Sequence, residues 1–355
     1  METNRHKRDL RNRLSRTDAQ NKVQLEPFRR KILSFYRYIK IADPAQFRDE
    51  LFLHWNELGV LGRIYLATEG INAQLSVPEP NLQKFRDFID SNSYLNQVPF
   101  KMALENKQDA FIKLIIKIKD RIVADGLTDL DFDSSKSGRH LKASEWNQAM
   151  ENPEAIVVDM RNCYESEVGH FENAITPAVE TFREELIQVK ELLQEKKHRP
   201  LLLYCTGGIR CEKASAWLIS QGFENVSQLE GGIIDYARQV EELGLVSKFK
   251  GKNFVFDERK GERITDDVVA VCHQCGQASD NHVNCVNDAC HLLFVQCEQC
   301  HTQHEGCCSK ECQEFIKLSE AERKPRFSEF AHKRDSHYIS DLPYSPFRGM
   351  AGQKP

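Results

Sequence analysis

The stretch LLLYCTGGIRCEKASAWL, residues 201–218, constrains the fold of this chain more than any other part of the sequence. Its first four residues are apolar and predict a short buried strand. A loop with two adjacent glycines follows, and after Cys211 the apolar residues recur at the spacing of an amphipathic helix. Strand, loop and helix in this order are typical of a parallel α/β sheet, in which the loop lies at the carboxyl end of its strand. The pattern therefore places Cys205 at the start of such a loop.

The loop after this strand predicts a reactive thiol. Gly207 and Gly208 have no Cβ, so their backbone can turn N–H groups inward, and the N-terminus of the next helix adds partial positive charge. Arg210 adds a full positive charge, and together these features favour the thiolate form of Cys205. The alternative is a buried structural cysteine at the end of a strand. The predicted anion-binding loop consists of Thr206, Gly207, Gly208 and Ile209.

A second cysteine, Cys211, stands at the predicted start of the helix. It could form a disulfide with an oxidised Cys205 and so resolve a persulfide or a sulfenate. Alternatively, it is a small packing residue in the first turn. We predict Cys205, Arg210 and Cys211 as the catalytic residues and interpret Cys163, which lies in another loop, as incidental.

The length of the loop argues against phosphoryl transfer as the chemistry of this site. Arg210 stands five positions after Cys205, one fewer than the arginine of cysteine phosphatases, so a phosphoryl group would fit this loop badly. With VVDMRNCYESEVGHFENAITP upstream, at 157–177, and LEGGI downstream, at 229–233, the segment resembles a rhodanese domain. That resemblance implies that Cys205 carries a persulfide.

Three further polar residues precede the loop in this segment, namely Asp159, Arg161 and His170. A functional interpretation places Arg161 or His170 near the thiolate. The structural interpretation, which we favour, is that Asp159 and Arg161 form an ion pair and that His170 caps a turn, since a single histidine is more often structural.

The N-terminal third alternates between strand and helix patterns in the order β-α-β-β-α-β. This order predicts a ferredoxin-like sandwich of two helices on an antiparallel sheet. The segment contains no evident pair of nucleophile and base, so we expect it to dock or shape a substrate. Arg63, Thr68, Glu69 and Asn72 surround one predicted turn and are candidates for lining a shared cleft.

Nine of the twelve cysteines lie between Cys272 and Cys312, and eight of them form four pairs with metal-ligand spacing. Four pairs provide enough thiolates for two tetrahedral zinc ions, and about forty residues bury too little core to fold without them. His282 or His291 could replace a thiolate, and the pairs could combine sequentially or interleave. The predicted zinc ligands are Cys272, Cys275, Cys285, Cys290, Cys297, Cys300, Cys308 (with Cys307 as its alternative) and Cys312.

Length and composition limit the number of domains, the binding partners and the location of the protein. A chain of 355 residues predicts two or three domains, here of α/β and α+β type. Because the formal net charge is −4, no overall positive field attracts nucleic acid, and any contact with RNA depends on local patches. No apolar run approaches the ~20 residues of a membrane span, and no secretory signal is evident. We therefore expect a cytoplasmic protein that binds neither membranes nor DNA.

These patterns divide the chain into six segments. They are a basic flexible tail (1–30), a ferredoxin-like, acylphosphatase-like domain (31–124), an acidic, serine-rich linker (125–140), a rhodanese-like doubly wound domain with a parallel sheet (141–247), a cysteine-rich zinc-binding region (248–317) and a polar tail (318–355).

Long motifs from all three ordered segments occur together. GRIYLATEGINAQLS, YCTGGIRCEKA with ETFRE, and NCVNDACHLLFVQC resemble the tRNA uridine hydroxylase family over about residues 31–312. The resemblance implies that tRNA is the substrate and that carbon 5 of its wobble uridine is hydroxylated to 5-hydroxyuridine. It also implies molecular oxygen as co-substrate, an electron donor that the sequence does not identify, and Cys205 as the active cysteine.

The chemistry of Cys205 and its loop alone favours sulfur transfer or a thiol redox reaction. The alternative function is therefore a rhodanese-type sulfurtransferase that carries a persulfide on Cys205 for a small acceptor or a partner protein, and a third is a scaffold without activity. One hypothesis joins the resemblance to the residues: Cys205 adds to the pyrimidine ring or cycles through an oxidised sulfur species, while Arg210 and the loop amides stabilise negative charge.

Overall fold

The computed structural model describes residues 10, 14–127, 136–330 and 338–350. Half of the predicted linker, at 128–135, lies outside the described residues, as do parts of both predicted tails, at 1–9, 11–13, 331–337 and 351–355. Among the described residues, no helix is both long and apolar enough to cross a membrane.

The N-terminal domain follows the predicted order of strands and helices. In chain order its elements are α1 (Arg16–Gln24), β1 (Arg30–Tyr38), α2 (Pro44–Glu57), β2 (Leu61–Ala67), β3 (Gly70–Pro78), α3 (Leu82–Ser91), β4 (Lys101–Met102) and β5 (Leu114–Ile118). The prediction of a flexible tail over 1–30 is wrong for α1. Ser15 caps this helix by accepting a hydrogen bond from the backbone N–H of Asp18, and Ala19 and Val23 are buried.

The sheet of this domain has the order β4-β1-β3-β2-β5. β3 pairs antiparallel with both β1 and β2, as expected. The sheet is not fully antiparallel, however, because β5 runs parallel to β2 at the far edge, while the two-residue β4 takes the edge beside β1. The reason lies in packing, since Leu114 and Ile116 of β5 join the hydrophobic core and β5 contacts α2.

The two faces of this sheet differ because side chains alternate along each strand. Leu33 and Phe35 of β1, together with Ile64 and Leu66 of β2, point into the core beneath α2 and α3. The residues between them point to the opposite face and line a cavity there: Ser34, Tyr36, Arg63, Tyr65, Asn72 and Gln74. This face is where the second domain packs.

The second domain is the predicted doubly wound unit. Its elements are β6 (Arg139–Leu141), α4 (Ala143–Ala149), β7 (Ile156–Asp159), α5 (Cys163–Glu167), β8 (Gly169–Phe171), α6 (Phe182–Leu192), β9 (Leu201–Tyr204), α7 (Ile209–Ser220), β10 (Val226–Leu229) and α8 (Gly232–Leu243). The order β6-β10-β9-β7, parallel throughout, confirms the predicted sheet.

Strand β9 is buried on both faces, as its unbroken apolar run indicates. Leu201 and Leu203 pack towards α6 and α7, whereas Leu202 and Tyr204 pack towards α4 and α8. Helices therefore cover both sides of the sheet, and the end of β9 delivers Cys205 to its carboxyl edge.

The C-terminal region begins with β11 (Phe249–Asn253) and β12 (Glu262–Arg263), which pair antiparallel. β11 also pairs with β8, so it extends the second domain. The cysteine-rich part contains β13 (His282–Asn284), β14 (Leu293–Val295), α9 (Glu298–Gln303) and α10 (Lys310–Ile316).

The predicted polar tail is more ordered than expected. Ser319 caps helix α11 (Glu320–Arg326), because its side chain accepts a hydrogen bond from the backbone N–H of Glu322. Tyr338 is fully buried. The backbone N–H groups of Tyr338 and Ile339 donate to the carboxylate of Glu180 at 2.6 and 2.8 Å, which fastens this segment to the second domain.

Candidate active site

Cys205 lies directly after β9 and is fully buried. The backbone N–H of Gly208 donates to its Sγ at 3.1 Å. Gly208 has a φ of +92°, a left-handed conformation that glycine adopts readily, and a Cβ there would lie 3.0 Å from the hydroxyl oxygen of Tyr36. Gly232 packs against the back of the loop, where a Cβ would lie 2.6 Å from the carbonyl oxygen of Cys205. Both glycines let the backbone close around the thiol.

The surroundings of Cys205 favour its thiolate form. Burial alone raises the pKa of this thiol, but a hydrogen bond from Cys211, the charge of Arg210 and the backbone N–H groups of both residues outweigh burial and lower the pKa to about 6. Burial and the interaction with Cys205 raise the pKa of Cys211 well above its usual value. Cys211 therefore remains a neutral donor to the thiolate, a role that its sequence position did not suggest.

Arg210 is fixed by a carboxylate that the sequence analysis missed. Its guanidinium forms two hydrogen bonds with Glu165, one of 2.8 Å between Nη2 and Oε2, and Glu165 is fully buried. The hydroxyl of Thr206 also donates to Glu165 at 3.1 Å. Glu165 lies at the third position of α5, where its spacing from Asn162 indicates helix capping. Nothing in that spacing shows that it also reaches the arginine.

A cavity of about 430 Å³ separates the open face of the N-terminal sheet from the cysteine loop. Thr206, Gly207, Ile209 and Arg210 line it from the second domain. The aromatic side chains around it include Tyr36, Tyr65, Phe111, Phe182 and Phe256. The cavity thus lies between a wall that contains several aromatic rings and the side of the loop that faces the N-terminal domain.

The predicted shared cleft exists, but only two of its four predicted residues line it. Arg63 and Asn72 lie on the cavity wall. The backbone carbonyl of Thr68 instead accepts from the N–H of Ile41. The carboxylate of Glu69 accepts from Lys213 at 2.7 Å.

Contacts between the two domains hold the cavity in place. Besides Glu69, the buried carboxylate of Asp125 pairs with Lys213 of α7, although Asp125 lies in the predicted linker. The hydroxyl of Tyr36 donates to Glu212 at 3.1 Å, and that of Tyr38 donates to the carbonyl of Ile209 at 3.1 Å. Strand β1 is thereby tied to the start of α7.

The remaining polar residues near the loop take the structural roles that we favoured. Arg161 and Asp159 form a fully buried ion pair at 2.6 Å, and Arg161 also donates to the carbonyl of Gly169. Nδ1 of His170 lies 2.9 Å from the carbonyl oxygen of Ser166, at the end of α5. Burial raises the pKa of Cys163, so it remains a thiol.

The eight predicted metal-ligand cysteines lie in two groups of four. Within each group the Sγ atoms all lie within 4.8 Å of one another. The closest sulfur pairs are separated by 3.6–3.7 Å, and a tetrahedral site with Zn–S bonds of about 2.3 Å separates its sulfurs by about 3.8 Å. The groups are Cys272, Cys275, Cys297 and Cys300, and Cys285, Cys290, Cys308 and Cys312. The arrangement fits two metal ions, each held by four thiolates, and the pairs interleave.

Three residues that the sequence left open lie outside both groups. Cys308 belongs to the second group, whereas Cys307 does not. His282 and His291 are not members either, and Nε2 of His282 lies 3.3 Å from the hydroxyl of Tyr338. Neither histidine replaces a thiolate.

Three sequence families match consecutive parts of the chain. Residues 30–122 match the UPF0176 acylphosphatase-like domain, residues 142–239 match the rhodanese-like domain, and residues 250–313 match the rhodanese C-terminal family. These matches agree with the two folds described above and with the position of the cysteine-rich region.

Several relatives match this chain in sequence over about nine-tenths of its length. The tRNA uridine(34) hydroxylase of Leptospira interrogans is 52% identical over 322 residues, which cover 91% of this chain and 88% of that protein. The enzymes of the same name from Photorhabdus laumondii and Enterobacter sp. are each 50% identical over 318 residues, 89% of this chain, and these cover 90% and 91% of the two proteins. The family resemblance seen in the motifs therefore extends over nearly the whole chain.

Proposed function

This chain belongs to the tRNA uridine(34) hydroxylase family, and we propose on that basis that it hydroxylates carbon 5 of the wobble uridine of tRNA to give 5-hydroxyuridine. The observation that carries the proposal is the identity of about half of all residues over about nine-tenths of the chain. The site supports it, because the loop that follows Cys205 lines a cavity of about 430 Å³ between two domains, and the surroundings of Cys205 lower the pKa of its thiol to about 6.

Molecular oxygen is the proposed co-substrate. One oxygen atom enters the C5–H bond of uridine, and the other leaves as water with two electrons and two protons from a donor. We assign catalytic roles to Cys205, Arg210 and Cys211. The thiolate is the reactive group, Cys211 donates to it, and Arg210 with the amides of residues 206–209 stabilises negative charge.

The wobble uridine must leave its base stack to reach this site. The neighbours of Cys205 in the loop, Thr206 and Gly207, line the cavity, whereas Cys205 itself is fully buried behind them. A base must therefore turn into the cavity to reach the loop, and the loop must open slightly before the thiol can touch it. Unstacking costs least in a single-stranded loop such as the anticodon loop, and aromatic side chains recognise unstacked bases by stacking on them. The rings of Tyr36, Tyr65, Phe111 and Phe256 in the cavity wall supply such surfaces.

Zinc is the proposed metal of both cysteine groups. Four thiolates leave no open coordination position, so each ion would stabilise the fold and take no part in the hydroxylation. The ions would supply folding free energy to a region that has few apolar residues of its own.

Sulfur transfer remains a second candidate because the rhodanese-like domain and the amide-lined thiolate also suit a persulfide. The two functions differ in their products. A sulfurtransferase would turn over thiosulfate rapidly as the purified protein, and its loss would leave the amount of 5-hydroxyuridine unchanged.

The direct test is mass spectrometry of nucleosides in total tRNA from cells that lack this protein. We expect 5-hydroxyuridine derivatives to disappear and to return when the wild-type protein is supplied. Strains without other routes to 5-hydroxyuridine must be used, because a redundant enzyme would conceal the loss. Unchanged nucleosides in such a strain would reject the proposed function.

A further inference from the structure

Lys101 brings a second positive charge to the cysteine loop from the opposite domain. It belongs to β4 and is only 6% exposed. Its side chain lines the cavity, and a Cβ on Gly207 would lie 3.9 Å from its Cδ. Its Nζ lies 4.3 Å from the ring centroid of Tyr36. The ammonium group is thus held beside the loop that carries Cys205.

Within the described part of the chain, no hydrogen bond or ion pair involves the Nζ of Lys101. A buried ammonium without an anionic partner costs folding free energy. Burial lowers the pKa of Lys101, while Asp235, Cys205 and Glu212 act in the opposite direction. Unpaired charges of this kind in a cleft are typical of groups that act on a ligand.

We propose that Lys101 is a catalytic residue that donates a hydrogen bond to the C4 oxygen of the wobble uracil while Cys205 adds to carbon 6 of the ring. This inference rests on the proposed function. It assigns to the N-terminal domain a direct part in the chemistry, which its sequence did not suggest.

The addition step balances without any other reactant. The thiolate of Cys205 forms the Sγ–C6 bond with its own electron pair. The C5–C6 π pair becomes the C4–C5 double bond, and the π pair of the carbonyl moves onto O4, so an enolate forms. Nothing is oxidised or reduced in this step. The negative charge of the thiolate ends on O4, where the ammonium group of Lys101 stabilises it.

A base oxygen suits this position better than a phosphate. The cavity wall contains apolar and aromatic residues, including Phe111 and Phe256, together with three arginines. Arg210 is already paired with Glu165, and Arg259 with Asp257 and Glu262, while Arg63 is exposed. A neutral base enters such a site at low cost, whereas a phosphate would lose its hydration there. The enolate gains its charge only after the base is bound, so Lys101 would stabilise the transition state more than the bound substrate.

The test uses the full chain and an anticodon stem-loop RNA that carries 5-fluorouridine at the wobble position. We expect the wild-type protein to form a covalent adduct that survives denaturing electrophoresis, and Cys205→Ala to form none. Lys101→Met should form the adduct about 100-fold more slowly at saturating RNA, because one donor to the developing oxyanion is lost. The Kd for the RNA should change less than about twofold, since the neutral base makes a weak contact with the ammonium group.

Two further variants complete the test. Lys101→Arg keeps the charge and should recover part of the rate. Lys84→Met removes the same charge from the exposed face of α3, outside the cavity, and should behave as the wild type. Circular dichroism and a denaturation midpoint for each variant show that the fold is retained.

Three outcomes would overturn the inference while leaving the proposed function intact. The first is adduct formation by Lys101→Met at the wild-type rate. The second is a much weaker Kd with an unchanged rate at saturation, which indicates a phosphate contact. The third is no adduct with the wild type, although it restores 5-hydroxyuridine in cells. Failure of the cellular restoration would instead reject the proposed function itself.

Discussion

The charge on Cys205 depends on very few neighbouring groups. Its pKa of about 6 places the thiolate above half occupancy at any pH above about 6. Because the pKa of Cys205 is lowered, this side chain loses its negative charge only when the pH falls through about 6. Reactivity that needs the thiolate should therefore be nearly constant above neutral pH and fall in mild acid.

Cys211→Ala should raise the pKa of Cys205 to about 7, since a hydrogen bond contributes about 1 kcal/mol and a pKa unit corresponds to about 1.4 kcal/mol. The measurement is the thiolate ultraviolet absorbance as a function of pH, taken as the difference from the corresponding protein with Cys205→Ala. Cys163→Ala, which removes another buried thiol, is the control and should leave the midpoint unchanged. A midpoint near 9 in the wild type would contradict this description of the site.

At the same scale, the sequence predicted the loop that carries Cys205 but not the side chains that hold this loop in place. The strand run, the paired glycines and Arg210 predicted the loop because its geometry depends on adjacent residues. The role of Glu165 was not predicted, because it contacts Arg210 only when α5 packs against the start of α7. The position of Lys101 was not predicted for the same reason, since the Cys205 loop beside it belongs to the other domain.

At the scale of elements, the hairpin of β13 and β14 explains why the metal-ligand pairs interleave. The antiparallel strands bring the residues before β13 beside those after β14, which places Cys272 near Cys297. Cys285 and Cys290 lie at the turn end and meet Cys308 instead. Spacing predicted the ligands, but only the strand pairing decides how the pairs combine.

The adjacent cysteines Cys307 and Cys308 provide a matched test of this assignment. Native mass spectrometry should find two zinc ions in the wild type and in Cys307→Ala, but one in Cys308→Ala. Loss of a four-thiolate site removes binding free energy of about 10 kcal/mol or more, so Cys308→Ala should also make the C-terminal region sensitive to proteases. The opposite pattern for the two variants would show that the ligand assignment is wrong.

At the scale of the whole molecule, the cavity beside the Cys205 loop is formed by residues of two domains that pack against each other. Each domain was predicted from its own periodicity, whereas the cavity depends on contacts between residues far apart in the chain. Lys213 is central to them, because it is 3% exposed and pairs with Glu69 and with the buried Asp125.

Lys213→Met should lower the free energy of unfolding by about 3 kcal/mol, since it leaves Asp125 buried without its partner. The change is measured as the shift of the urea midpoint. Lys196→Met, at an exposed position, is the control and should shift the midpoint little. An equally small shift for Lys213→Met would mean that the ion pair does not fasten the domains together.

In the proposed function, Cys205 and molecular oxygen together hydroxylate the wobble uridine. The most direct measurement is mass spectrometry of tRNA nucleosides from cells that lack the chain, grown under ¹⁸O₂ and supplied with Cys205→Ala, Cys163→Ala or the wild type. We predict ¹⁸O-labelled 5-hydroxyuridine with the wild type and with Cys163→Ala, and none with Cys205→Ala. Unlabelled 5-hydroxyuridine, or labelled product with Cys205→Ala, would contradict the account.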